Sequence, residues 1–309
     1  MLALSTSWIS KQLKTAEYIF NALELYNISA IELEYRISYT LYQQIREALQ
    51  RNNFHVTSIH NFFPIPPILP DSKGGGDLFL LASPNKDERQ KAVYWTSKTI
   101  EHAGDLGAKA VVLHCGYVEM DMALDQLYSF FKSHQITSRA AQSFIAVKLK
   151  ERDLLKPIYL DNLLFSLDQL VSVAEKQGVL LGLENRFHYR ELPTFSDFEA
   201  IFTKFEGGPV GYWHDTGHAY VNESLTLVPP QSLIHTYSSK LIGIHLHDAI
   251  GLTDHLIPGD GEIDFKKIQP HLKKNTLMVL ELKPGTSDSE IKRAVSYVQQ
   301  NFGNNDDLA

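Results

Sequence analysis

Short, unbroken apolar runs that stop on an acid or an imidazole constrain this chain more than any other feature. The passage from Val179 to His218 shows the pattern twice. Val179 to Leu183 ends on Glu184 and Asn185, and Val210 to Trp213 ends on His214 and Asp215, with His218 one turn further on. Runs this short and continuous suit strands of a parallel sheet buried on both faces. A carboxylate in such a run is costly to bury unless it is paired or holds a metal. Parallel α/β folds build their sites from polar groups at strand C-termini.

The same pattern recurs along the chain. Strands are predicted at Met1–Ser7, Ala30–Tyr35, Val56–His60, Lys109–Cys115, Val179–Glu184, Val210–Asp215, Leu241–Asp248 and Leu277–Leu282. Amphipathic helices are predicted over Lys14–Tyr26, Tyr39–Asn52, Asn85–Leu106, Ser196–Phe205, Pro230–Ser238, from about Asp264, and over Ser287–Asn301. Two stretches exceed what a crossover needs. Residues 64–86, rich in Pro and Gly, read as a long loop insertion and a candidate lid, with a plain surface insertion as the alternative. Residues 117–158 read as extra helices, within a stretch of two or three helices reaching Gln177 with Pro157 as a break between them. Eight strand–helix pairs without a linker predict one domain over 1–309, a single (β/α)₈ TIM barrel with insertions after strands 3 and 4. An open doubly wound sheet is the second choice, because it would gather its polar strand ends at one switch point.

Composition narrows the class of function. Of the 309 residues, 44% are apolar and 21% charged, an ordinary globular balance. The net charge of −7 and a pI near 6.0, with no basic block, argue against a nucleic-acid binder. Cys115 is the one cysteine, so no internal disulfide can form and a reducing, cytoplasmic setting is expected. The start MLALSTSW lacks a signal-peptide pattern, and no apolar run approaches the roughly 20 residues of a membrane helix.

Six strands end on a metal-type donor: His60, His114, Glu184, Asp215, His245 and Glu281. Barrel closure would bring them to one face. Mixed imidazole and carboxylate donors suit Mn²⁺, Zn²⁺, Co²⁺ or Fe²⁺ better than Ca²⁺. His214 and His247 alternate with these donors and are expected to face outward, between barrel and helices. Asp248 is expected to support the loop behind strand seven. Arg186 and Lys283, just beyond two of the acids, read either as anion contacts or as simple ion pairs. Trp8 and Phe62 are candidate walls of a sugar pocket, with plain core as the alternative.

The order ENR, HDTGH, HLHD, DHLIPGDGEIDF and LELKP resembles the xylose isomerase-like barrels. That superfamily includes sugar isomerases and epimerases of the tagatose epimerase type, and apurinic-site endonucleases. The epimerase likeness implies one divalent ion, Mn or Zn before Co or Mg, on Glu184, Asp215, His245 and Glu281. It also implies that His218 contacts substrate. The implied reaction is proton transfer beside a carbonyl. The ion would stabilise an enediolate as Lewis acid, and Glu184 and Glu281 would act as acid and base on opposite faces of the sugar. The endonuclease likeness implies three ions: His60, His114 and Glu184 for one, the same four residues for a second, and His218 with an Asp-x-His pair for a third. At that pair this sequence has Thr253-Asp254-His255. His255 is kept, the acid position holds Thr253, and the one-residue shift should aim Asp254 elsewhere. A carbohydrate is therefore the expected partner, His60, His114 and His255 read either as ligands of a second ion or as substrate contacts, and a homo-oligomer is expected by likeness to barrels of this kind.

Overall fold

The computed structural model describes residues 1–10 and 15–303. Eight strands close into a parallel barrel: β1 (Leu2–Ser5), β2 (Ala30–Leu33), β3 (His55–His60), β4 (Ala110–Leu113), β5 (Leu180–Glu184), β6 (Val210–Asp215), β7 (Leu241–Leu246) and, after a two-stranded hairpin of β8 (Asp248–Ile250) and β9 (Thr253–Leu256), β10 (Leu277–Leu280). Each barrel strand pairs in parallel with its sequence neighbour, and β10 closes the ring on β1. Among the described residues ten α-helices accompany them: α1 (Ala16–Leu25), α2 (Tyr39–Leu49), α3 (Lys86–Asp105), α4 (Leu124–Lys132), α5 (Arg139–Gln177), α6 (Phe195–Lys204), α7 (Thr216–Ser224), α8 (Ser232–Tyr237), α9 (Phe265–Ile268) and α10 (Asp288–Phe302). The predicted (β/α)₈ barrel is the fold. The first residue of the helix expected over Lys14–Tyr26 lies outside the described residues. The hairpin and α7, which follows Asp215 directly, have no counterpart among the predicted elements.

Inside the barrel, small residues from several strands surround one large one. Ala3, Ala30, Ala110, Val112 and Val279 form an inner cluster with Trp213. Side-chain carbons added at Gly182 and Gly243 would lie 2.8 and 2.3 Å from the Trp213 ring. One indole thus fills a space that small-residue strands leave open. Its ring lies 5.1 Å from that of His245, so the plug forms the floor of the polar end. The main apolar core lies outside this ring, between strands and helices, with Leu4, Ile31, Leu113, Leu183, Ile244 and Leu280 all buried.

One of the two insertions differs from expectation. Pro157 does not break the extra helical segment, because α5 runs through it for 39 residues. An interior proline costs about 3 kcal/mol. Here the helix is pinned on both sides: buried Arg152 and nearby Lys156 bind Asp197 at 2.6 and 3.1 Å, and Leu163, Leu167 and Leu170 are buried in the core. The 64–86 loop is anchored by buried Ile65, Phe79, Leu81 and Ala82. Along the outer side of α5, Val147, Leu154, Ile158 and Phe165 are exposed.

Candidate metal and acid–base centre

Strand ends bring the predicted donors together. Donor atoms of Glu184, Asp215, His245 and Glu281 all lie within 4.8 Å of one another, and all four residues are buried. Their common point is one nitrogen. His245 Nδ1 lies 2.7 Å from Glu184 Oε1, 3.0 Å from Glu281 Oε2 and 3.8 Å from Asp215 Oδ2. A single N–H cannot satisfy three converging carboxylates, so the donor set fits a cation of higher charge.

The surroundings fix each donor. Glu32, fully buried on β2, approaches the other ring nitrogen of His245 with both oxygens at 3.2 Å and accepts a 2.7 Å bond from Ser58 Oγ. Alternation aims it there: Ala30 faces the barrel interior and Ile31 the outer core, so Glu32 points inward again. A carboxylate behind a ligating imidazole selects its tautomer and orientation. Asp215 accepts from the His218 backbone N–H at 2.7 Å, as cap of α7, and from His247 Nε2 at 3.0 Å. Asn185 receives the Asp215 N–H at 2.8 Å and donates to its carbonyl.

His247 therefore does not face outward as alternation predicts. β7 ends at Leu246, so the period-two rule stops one residue before it. The closeness of α7 depends on Gly217, where a side-chain carbon would lie 2.2 Å from the His247 ring. His214 does lie behind the barrel wall, 2.6 Å from the Tyr212 hydroxyl. Asp248 supports the following loop, accepting from the N–H groups of Ala249, Gly259 and Ile263.

Burial and crowding set the charges. Burial lifts the Glu281 carboxyl to about 7, with Glu184 and Glu32 adding to it against His245 and His255. Burial alone would raise Glu184 too, but His114, His245 and Arg186 hold it well below the usual carboxylate range. Asp215 is held low against its burial by His218 and His247. Burial and His114 push His60 down to about 3, so it is neutral.

Among the described residues three further groups of donors adjoin the four, one of them being His247, His255 and Glu281. His60, His114 and Glu184 converge on one side. On the other, Asp254 Oδ2 lies 3.7 Å from His218 Nε2 and 3.9 Å from His255 Nε2. The one-residue shift thus does not aim Asp254 elsewhere. His255 has φ 53, a left-handed turn that breaks strand alternation and lets consecutive side chains face one site. His218 donates Nδ1–H to the Asn185 carbonyl at 3.0 Å, leaving Nε2 toward the site.

Of the two roles read for Arg186, the structure displays the ion pair, with Glu184, Asp77 and Glu191. Trp8 is buried edge-on against Tyr26, and Phe62 edge-on against Phe79. Lys283 is exposed. Sequence reasoning passes over Glu32 and Asp77. Asp77 comes from the 64–86 loop and accepts from His114 Nδ1 at 3.0 Å. The signal for it is the glycine run just before it: a side-chain carbon at Gly76 would lie 2.6 Å from the His114 ring.

A closed parallel barrel whose strand ends gather imidazoles and carboxylates at one mouth defines a class, the TIM-barrel proteins with a cation-type polar centre. Within it, residues 15–300 match the family described as xylose isomerase-like TIM barrel, and the chain belongs to that family. An uncharacterised protein of Methanocaldococcus jannaschii is 28% identical over 199 residues, which cover 62% of this chain and 56% of that relative's length. Among solved structures, a D-tagatose 3-epimerase-like protein superposes with TM-score 0.68 at 18% identity, covering 97% of this chain and 96% of its own. D-psicose 3-epimerase from Clostridium cellulolyticum H10, solved with D-tagatose, gives TM-score 0.68 at 13% identity, over 97% and 99% of the two chains. The IolI protein, solved with a zinc atom, gives 0.64 at 16% identity, over 97% of each. These neighbours include sugar epimerases that share the barrel. Among the described residues no helix is long and apolar enough to cross a membrane.

Proposed function

We propose that this chain is a divalent-metal-dependent isomerase or epimerase of a sugar or sugar phosphate, moving a proton at a carbon beside the carbonyl. The observation that carries the reading is the convergence of Glu184, Asp215 and Glu281 on His245 Nδ1 at the barrel mouth. These four residues would hold one ion, with Mn or Zn favoured, and that ion supplies Lewis-acid polarisation of the substrate oxygens. Glu184 and Glu281, on strands separated by β6 and β7 in the ring, take and return the proton from opposite sides of the sugar. His218 orients a substrate oxygen through Nε2, since its Nδ1 is held by Asn185. Barrel neighbours that carry sugar epimerase names support the substrate class, and the acidic net charge weighs against an abasic-site endonuclease.

The test is solvent exchange. Metal-loaded protein in D₂O is screened against ketoses, aldoses and their phosphates, with NMR detection of deuterium at the carbon beside the carbonyl. Glu281→Gln should keep its fold and lose about 10²–10⁴-fold in exchange rate, the range of a general acid–base group. Full exchange in that variant refutes the mechanism. The exposed apolar residues of α5 support a homo-oligomer in a cytoplasmic enzyme, and light scattering measures its size.

A further inference from the structure

We infer that Arg186 serves as a built-in cation at the His60–His114–Glu184 corner, and that it keeps a metal ion off those three residues. The inference rests on the metal-centre reading above but not on the reaction proposed for it.

Glu184 divides its two oxygens. Oε1 faces His245 at 2.7 Å, within the four-donor group. Oε2 faces the other way, toward His114 Nε2 at 3.1 Å and His60 Nε2 at 4.0 Å. Both histidines are arranged as ligands are. His60 Nδ1 lies 3.2 Å from the Asn61 carbonyl and His114 Nδ1 lies 3.0 Å from Asp77 Oδ2, so each has its Nδ1 engaged and its Nε2 turned inward. That geometry on its own would suit an ion.

The guanidinium already takes that position. Arg186 Nη1 is 2.5 Å from Glu184 Oε2 and 2.5 Å from His114 Nε2. A ring nitrogen and a carboxylate oxygen that both face a guanidinium at this distance leave no room for a metal between them, and an arginine does not lose its proton in proteins. The other terminal nitrogen lies 3.6 Å from both Asp77 and Glu191, which hold the fork in place. Asp77 thus orients His114 and anchors the cation that His114 faces. Arg186 contributes one positive charge and two directed donors where an ion would contribute a double charge and open coordination positions. Glu184 is left with Oε1 for the four-donor ion.

Ion counts test this directly. The protein is stripped, reloaded with Zn²⁺ and, separately, Mn²⁺, and analysed for ions per chain. Arg186→Met is expected to bind one more ion than the unaltered protein, and that extra ion should vanish when His114→Asn is added. In protein that keeps Arg186, His114→Asn alone should leave the count unchanged. This second measurement decides the matter if Arg186→Met fails to fold. Loss of an ion on His114→Asn alone, or an unchanged count in folded Arg186→Met, overturns the role given to Arg186. Unaltered protein that binds no ion at all overturns the centre itself and this inference with it.

Discussion

Glu32 is the most informative residue to change, because it touches the proposed ion only through His245. In Glu32→Gln the shape is kept and one acceptor remains for the imidazole, but the charge behind the ring is gone. Both carboxylate oxygens lie 3.2 Å from His245 Nε2, and Ser58 donates to one of them. The amide brings an NH₂ group that must face either another donor, Ser58, or the imidazole. Removing a partner of this kind costs 10- to 100-fold in metal affinity, or about 1.4–2.8 kcal/mol at 1.4 kcal/mol per tenfold. The drop from a charge-assisted to a neutral hydrogen bond, about 1 kcal/mol or somewhat more, has the same size. Competition for Zn²⁺ against a fluorescent chelator measures the affinity, with circular dichroism confirming the fold. Glu32→Ala should lose more, since it leaves the buried imidazole N–H without an acceptor at a cost of about 1–3 kcal/mol. An affinity for Glu32→Gln indistinguishable from that of the unaltered protein would refute the reasoning.

Other regions make separate predictions. Arg152→Met breaks the buried pair with Asp197 and should destabilise by about 3–5 kcal/mol in urea unfolding, since it leaves Asp197 with Lys156 alone. Asp197 is held low by Arg152 against its burial, so the pair's contribution is present above the unfolded carboxylate value of about 3.9 and is lost as pH falls through the lower folded value. The gap between the two proteins should therefore be widest at neutral pH and narrow in acid; a gap that widens in acid contradicts the assignment. Trp213→Ala should cost about 3–5 kcal/mol in thermal or chemical unfolding, whereas a loss below about 1 kcal/mol would mean that the barrel collapses onto the space. On the outer surface, Leu154→Glu should reduce the mass seen by light scattering if α5 joins copies of the chain, and an unchanged multimer would place the contact elsewhere.

The strand ends are legible because a polar donor closing a buried apolar run must be paired or coordinated to be tolerated there. That logic picks out six strand ends, His60, His114, Glu184, Asp215, His245 and Glu281, and the resemblance to the epimerase-type barrels singles out the last four of them as one ligand set. It fails where one residue decides direction. AIELEY offers two acids of the same inward parity as Ala30, Glu32 and Glu34, and only the closed barrel shows that Glu32 is the one that reaches His245. Alternation misdirects His247 because it is carried past the true end of β7. The same rule discounts Asp254, and the left-handed turn at His255 suspends it. Asp77 lies in a loop with no period to read. Pro157 has the local meaning of a helix break, and the tertiary anchors at Arg152 and Lys156 override it.

The indole of Trp213 has a consequence for how the barrel can change. One strand supplies the bulk and several others supply the clearance, so Ala3, Ala30, Ala110, Gly182 and Gly243 cannot enlarge independently while the tryptophan stays. Substitutions at these sites should be epistatic: intolerable singly, tolerated once residue 213 shrinks. The same linkage makes Trp213 a handle for redesign. Trimming it opens volume directly beneath His245, so the depth of the site can be altered from the floor while every donor at the mouth keeps its own strand.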